Sequence, residues 1–283
     1  MTFPLHEYTT QGKAVMSFSI GNGFPPEMYL PLVNAIEGDY RKVCLLPRSW
    51  WQDSDPADMK TWHIMVDDYV AGIQAHKLAP VIGIGHSMGG VINLMAAVEH
   101  PELFQAVVLL DPVFFPRWVV RVAFFIESFG INLIKPLVDG ALKRRDKWES
   151  LDDAYAYFRG KPLFRYCSDE VVHLYAEHMT RSNSHGVELA YPKEWEAQIF
   201  RTPPLDEWRY PPKIQVPCLI IAGENTNAFH PGAVKLWRRI RPDIPLLTVP
   251  KTSHLLPVEE PEIVAKAILD FLAKEVVHGN QNS

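Results

Sequence analysis

The feature that most constrains the 283-residue chain is residues 81–97, VIGIGHSMGGVINLMAA. A short, continuously apolar run meets Gly85-His86-Ser87-Met88-Gly89. The apolar residues beyond it recur at helical spacing, with Val91, Leu94, Met95 and Val98 at i, i+3, i+4 and i+7. A strand that is apolar on both faces is buried on both faces, which points to a parallel sheet covered by helices. Gly85 and Gly89 let strand and helix approach without Cβ clashes, and Ser87 between them stands on a sharp turn with its hydroxyl clear of the sheet. The Met88 N–H then faces the position where an oxyanion would form, aided by the positive end of the helix.

The same alternation runs along much of the chain. Strands are expected over 14–20, 42–46, 81–84 and 106–110, with helices over 28–37 and 56–76. In the longer helix Met59, Trp62, Met65, Val66, Tyr69 and Ile73 share one face. After Asp111-Pro112 the alternation stops, and it resumes with a strand at 218–222, a helix at 233–240, a strand at 246–249 and a last helix over 261–277. The intervening stretch is aromatic and basic, is broken at Gly130, Pro136, Gly140, Pro162 and Pro192, and reads as helices inserted between two strands of one sheet. The expected organisation is therefore an α/β core over 1–112, a helical cap over 113–212, and the second part of the core over 213–283. Within the cap, the apolar run 114–129 with Arg117 and Arg121 reads as a helix lining a hydrophobic pocket.

A chain with 47% hydrophobic residues can bury a sizeable core, and a net charge of −5 without long runs of one sign gives no electrostatic case for nucleic acid. No run reaches the ~18 apolar residues of a membrane span. The N-terminal residues lack a basic stretch followed by an apolar one, so no signal peptide and a cytoplasmic location are expected. Three cysteines, Cys44, Cys167 and Cys218, make neither a disulfide framework nor a zinc pattern. The remaining histidines show no metal-ligand spacing, and no Gly-x-Gly-x-x-Gly follows a strand, so neither a metal nor an organic cofactor is expected.

The order of strand, glycine-rich loop, Gly-x-Ser-x-Gly turn, Asp-Pro, insertion and late histidine resembles the α/β-hydrolase fold family over nearly the whole chain. Gly-His-Ser-Met-Gly-Gly is the family's nucleophile elbow, and Asn22-Gly23-Phe24-Pro25 resembles its oxyanion loop, often written His-Gly-x-Pro. Residues 252–261, TSHLLPVEEP, resemble the catalytic-histidine loop, since His254 follows the final strand and precedes the last helix. The resemblance implies a mostly parallel sheet flanked by helices and a serine hydrolase acting on a carboxylic ester or related acyl compound. Ser87 would be the nucleophile, His254 the base, and the Phe24 and Met88 N–H groups the oxyanion hole. An aromatic cap implies a small-molecule, apolar acyl substrate. The same residues would also serve hydrolysis of a carbon–carbon bond in a diketone, or perhydrolysis, and a non-catalytic ligand-binding scaffold is the reading from a different class.

Two positions depart from the family pattern. The first strand ends at Ile20 and Asn22 without the usual histidine. The strand 218–222 is followed by Gly223-Glu224-Asn225-Thr226-Asn227, where an aspartate is usual. A base histidine needs an acceptor on its second nitrogen to set its tautomer and stabilise the imidazolium. Asp111 leads as that acceptor because some relatives carry the acid at that strand end, with Glu224 and Asn227 as the alternatives. His86 reads as a packing residue, and Arg48 with Trp50 and Trp51 as a solvated loop over buried tryptophans.

Overall fold

Short apolar strands alternating with helices build the main sheet in the computed structural model, which describes residues 2–118 and 134–279. The chain enters through a three-residue strand, β1 (Leu5–Glu7), followed by β2 (Ala14–Ser19). A 3-10 turn at Pro26–Tyr29 runs into α1 (Leu30–Ala35), and β3 (Tyr40–Leu45) follows. The helix expected over 56–76 is shorter. Pro56–Asp58 form a 3-10 turn, Met59 turns extended, and α2 spans His63–Ala75. At this break the Met59 carbonyl accepts a hydrogen bond from the Gln198 side chain (2.8 Å) instead of continuing a helix. Next come β4 (Val81–His86), α3 (Met88–Glu99) and β5 (Phe104–Leu110).

Between β5 and the next strand of the sheet lie α4 (Lys135–Lys143), β6 (Lys147–Trp148), α5 (Leu151–Arg159), α6 (Asp169–Met179), β7 (Thr180–Asn183), β8 (Gly186–Leu189) and α7 (Lys193–Arg201). The expectation for this stretch was helices alone. The described residues add a small antiparallel sheet in the order β6-β8-β7. Its strands are two to four residues long and mostly solvated, too short to show an alternating pattern in the sequence. The apolar run 114–129 falls largely outside the described residues. The chain then completes the main sheet with β9 (Cys218–Gly223), α8 (Pro231–Ile240), β10 (Leu246–Val249) and the long α9 (Pro261–Gly279).

The main sheet has the order β1-β3-β2-β4-β5-β9-β10. All neighbours are parallel except the edge strand β1, which runs antiparallel to β3. Every residue of β4 is buried, as a central strand covered on both faces requires. Parallel strands share one C-terminal side, and ligands bind there in open α/β sheets. The loops after β2, β4, β5, β9 and β10 all open on that side, and they carry Phe24, Ser87, Asp111, Thr226 and His254 respectively. One continuous cluster of buried apolar side chains runs from the sheet, at Phe18, Val108 and Ile221, to Phe158, Tyr175 and Ile199 of the inserted stretch. No helix among the described residues is long and apolar enough to cross a membrane.

Candidate active site

The turn from β4 to α3 holds Ser87 at φ 57°, ψ −120°, a region L-residues rarely occupy. The strain persists because both flanks are locked. A Cβ on Gly85 would lie 2.3 Å from the Gly89 carbonyl oxygen, and one on Gly89 would lie 2.1 Å from that of Ser19. Only glycine fits at either position, so helix and strand meet at backbone distance and the serine is forced outward. The Ser87 N–H donates to the Leu110 carbonyl (3.0 Å), which ties the turn to the end of β5.

His254 Nε2 lies 2.9 Å from Ser87 Oγ, and His254 Nδ1 lies 2.6 Å from Asp111 Oδ2. A carboxylate accepts, so Nδ1 carries the proton and donates to Asp111, leaving the Nε2 lone pair to receive the Ser87 hydroxyl hydrogen. Asp111 is wholly buried, at φ 44°, a conformation aspartate tolerates better than most residues. Its Oδ1 accepts the Gly223 N–H (3.1 Å), and its Oδ2 also accepts the Thr226 hydroxyl. Of the three acceptor candidates, Asp111 is the one brought to His254. Glu224 turns away and accepts the Lys251 N–H (2.9 Å). The Asn227 side chain makes no hydrogen bond among the described residues. The polar group from the loop after β9 that reaches this place is the Thr226 hydroxyl, and it braces the carboxylate instead of replacing it.

The backbone of the His254 loop is held from two sides. Glu259, in the helical turn Leu256–Glu259, accepts the Ser253 N–H (2.6 Å) and the Ser253 hydroxyl. Burial raises the pKa of its carboxyl above the ordinary carboxylate value, and the two hydrogen bonds from Ser253 act against that rise. From the other side His86 Nε2 lies 2.8 Å from the His254 carbonyl oxygen. A carbonyl only accepts, so this nitrogen is protonated, and His86 Nδ1 accepts from the Tyr29 hydroxyl (2.7 Å). Tyr29 in turn accepts the Gly21 N–H (3.1 Å). Burial, with the neighbouring His254 adding to it, holds the pKa of His86 well below the ordinary imidazole value. His86 is therefore a neutral strut. It packs as the sequence reading expects, and through Tyr29 it also links the start of the loop 21–25 to the His254 loop by a line of three hydrogen bonds.

The N–H groups of Phe24 and Met88 have no backbone acceptor among the described residues. The Phe24 loop lacks the family's histidine, and Asn22 anchors it differently. The Asn22 Nδ2 donates to the Glu196 carbonyl of α7 (3.1 Å), and its Oδ1 accepts the Tyr191 hydroxyl (3.0 Å). Beside this loop a cavity of about 480 Å³ is walled by Phe24, Phe158, Phe164 and Tyr175. Charged side chains of the inserted stretch share the lining, so it is not uniformly apolar. The Arg48 loop departs from its reading as a solvated loop over buried tryptophans: Arg48 is largely shielded, and Trp50 and Trp51 are only half-buried. Arg48 makes a two-pronged ion pair with Asp68 (2.6 and 2.7 Å), and the Trp51 indole N–H donates to the Leu46 carbonyl (2.8 Å). Among the described residues no group of three or more His, Cys, Asp or Glu side chains is placed to hold a metal ion.

Sequence reasoning passed over Tyr29, Thr226, Tyr191, Arg144 and Glu196. Thr226 read only as an occupant of a missing acid's place. Only the absence of an aspartate after β9 signalled that something else must serve there.

The alpha/beta hydrolase family model matches residues 21–267. A curated relative, 2-(acetamidomethylene)succinate hydrolase of Mesorhizobium japonicum, is 25% identical over 206 residues, covering 73% of this chain and 69% of that protein. The crystal structure of E-2-(acetamidomethylene)succinate hydrolase superposes with a TM-score of 0.79 at 22% identity, covering 95% of this chain and 94% of the other. The enol-lactonase of Burkholderia xenovorans superposes with a TM-score of 0.66 at 20% identity, covering 95% and 96%. At these identities the two structures speak for the fold.

Proposed function

Because the chain belongs to the alpha/beta hydrolase family, we propose that it is a serine hydrolase cleaving a carboxylic ester or related acyl compound through an acyl-enzyme on Ser87. The observation that carries this reading is the unbroken hydrogen-bond line from Ser87 Oγ to His254 to Asp111, at 2.9 and 2.6 Å, on a strained strand-to-helix turn. A binding scaffold gains nothing from holding a serine in that conformation.

In the proposed cycle Ser87 Oγ attacks the carbonyl carbon as His254 Nε2 takes its proton. The carbonyl oxygen gains negative charge and is held by the Phe24 and Met88 N–H groups, the latter at the positive end of α3. Collapse of the tetrahedral intermediate expels the alcohol, protonated by His254. Water then attacks the acyl group with His254 as base, releasing the acid and restoring Ser87. Asp111 accepts from Nδ1–H throughout and stabilises the imidazolium. Residues 113–212 act as a cap over this site, with the aromatic wall taking an apolar part of a small substrate.

A fluorophosphonate probe is expected to label the wild-type protein at Ser87 and to leave Ser87→Ala unlabelled. A panel of p-nitrophenyl esters and lactones is expected to be turned over by the wild type alone. Full activity in purified Ser87→Ala would overturn the assignment. Labelling of Ser87 without turnover of any ester or lactone would overturn the ester reading in favour of carbon–carbon bond hydrolysis by the same residues.

A further inference from the structure

We infer that the cavity beside the oxyanion loop selects acyl substrates bearing a carboxylate, which Arg144 holds close to the scissile carbonyl. This deepens the serine-hydrolase reading and rests on it. The cavity's charged lining is Lys143, Arg144, Lys161 and Glu196, three cations against one anion. The Arg144 and Glu196 side chains are only 16% and 18% exposed and form an ion pair. Arg144 Nη2 also donates to the Tyr175 hydroxyl (3.1 Å). A guanidinium has five N–H donors. These two contacts leave the others for a ligand, and the planar fork matches a carboxylate.

The neighbouring charges point the same way. Lys161 Nζ sits 3.9 Å from the centre of the Tyr157 ring and makes no ion pair among the described residues, so no carboxylate offsets its charge. Lys143 is exposed on α4 beside Arg144. After the Arg144–Glu196 pair is set against itself, two positive charges remain to draw an anion into the mouth. The pair's position limits the substrate's length. A Cβ built on Gly23 would lie 3.7–3.9 Å from the Glu196 carboxyl atoms, so the pair stands over the oxyanion loop. A carboxylate on Arg144 is then only a few methylenes from a carbonyl held by Phe24 N–H, which favours short ω-carboxyacyl chains over long ones.

The test compares p-nitrophenyl esters matched in length on the full chain: butyryl and valeryl as neutral members, succinyl and glutaryl as carboxylates, and a primary-amine-bearing acyl ester as the cation. The wild type is expected to favour the best carboxylate ester at least ~10-fold in kcat/KM, mostly through KM, since hydrogen bonds to a charged group are stronger than neutral ones. Salt should erode the preference. Arg144→Gln should collapse the carboxylate-to-neutral ratio, and Lys161→Glu, on an exposed position, should lower it several-fold without depending on the buried pair. Equal or better turnover of neutral esters overturns the inference, as does preference for the cationic ester or a carboxylate preference that survives both substitutions. Protection of Ser87 from the fluorophosphonate supplies a readout that needs no turnover: monomethyl succinate should protect better than methyl butyrate. Labelling and turnover without charge preference sink this inference alone, whereas absence of Ser87 labelling sinks the serine-hydrolase reading with it.

Discussion

At the C-terminal ends of β4, β5, β9 and β10 the polar groups are short side chains on backbone tied by hydrogen bonds. Asp111 is bonded on both oxygens, and His254 on both nitrogens. In the inserted stretch the charges ride on long side chains, Lys143, Arg144 and Lys161, and meet their partners across helices or over a ring. The first region resembles what a fixed reaction needs, since preorganised donors and acceptors pay no reorganisation at the transition state. The second resembles what recognition needs, because a long cation adapts to the ligand that arrives. The two regions meet at Asn22, whose side chain joins the oxyanion loop to α7. Substitutions in the first region should therefore act on kcat, and those in the second on KM.

The sharpest break comes from Ser87→Ala and His254→Ala, each expected to lower kcat by at least ~10³-fold with a thermal midpoint close to wild type. Steady-state kinetics with thermal denaturation would check both halves. Next, Asp111→Asn should cost about 10²- to 10⁴-fold in kcat, because the imidazolium loses its countercharge and the tautomer is no longer imposed. Glu224→Gln, whose carboxylate faces Lys251 instead, should cost little in the same assay. If Glu224→Gln matched Asp111→Asn, the assignment of the acid would be wrong.

Asn22→Ala tests the joint between the regions. It removes both hydrogen bonds that tie the oxyanion loop to α7 and Tyr191, and an expected loss of ~10-fold in kcat with little change in KM would separate loop positioning from substrate binding. A change confined to KM would place Asn22 with the recognition region.

The smallest effect concerns stability alone. Glu207, near the end of the inserted stretch, has its pKa raised by burial to about 7, with Asp206 adding to the rise, and one of its oxygens is buried without a partner among the described residues. Between the ordinary carboxylate value and about 7 the folded state holds more protons than the unfolded one, so stability should fall as pH rises through that window and level off above it. The fall is of the order of 3 kcal/mol at most, at about 1.4 kcal/mol per pKa unit. Glu207→Gln should flatten the dependence, gaining unfolding midpoint at pH 8 relative to pH 5. An unchanged slope in a denaturation series across that range would show that the carboxyl ionises freely in the folded protein.

What could be read before folding follows the range of the interactions involved. The sheet's parallel character showed in the apolar runs at β4, β5 and β9, since burial on both faces leaves its mark residue by residue. Ser87 was legible because the elbow is a five-residue event, and its glycines are demanded by clashes within that segment and with β2. The edge strand β1 and the small sheet β6-β8-β7 left no trace, because strands of two to four residues cannot display a period. The hydrogen bonds of Asn22 to Glu196 and Tyr191 were equally hidden, since they join segments 174 and 169 residues apart.

The chain's sequence by itself determined the parallel α/β layering, the strained serine turn and a histidine loop before the last helix, all of which rest on contacts within or next to one segment. Only the tertiary structure decided which acceptor stands against His254 Nδ1, because 143 residues separate it from Asp111 and three polar groups were within plausible reach. It likewise decided that Thr226 braces the carboxylate, that His86 spans from Tyr29 to the His254 carbonyl, and that Arg144 and Glu196 meet above Gly23. Local preference selects elements, but a hydrogen bond between distant strand ends exists only once the sheet has set their register, and that register is a property of the whole core.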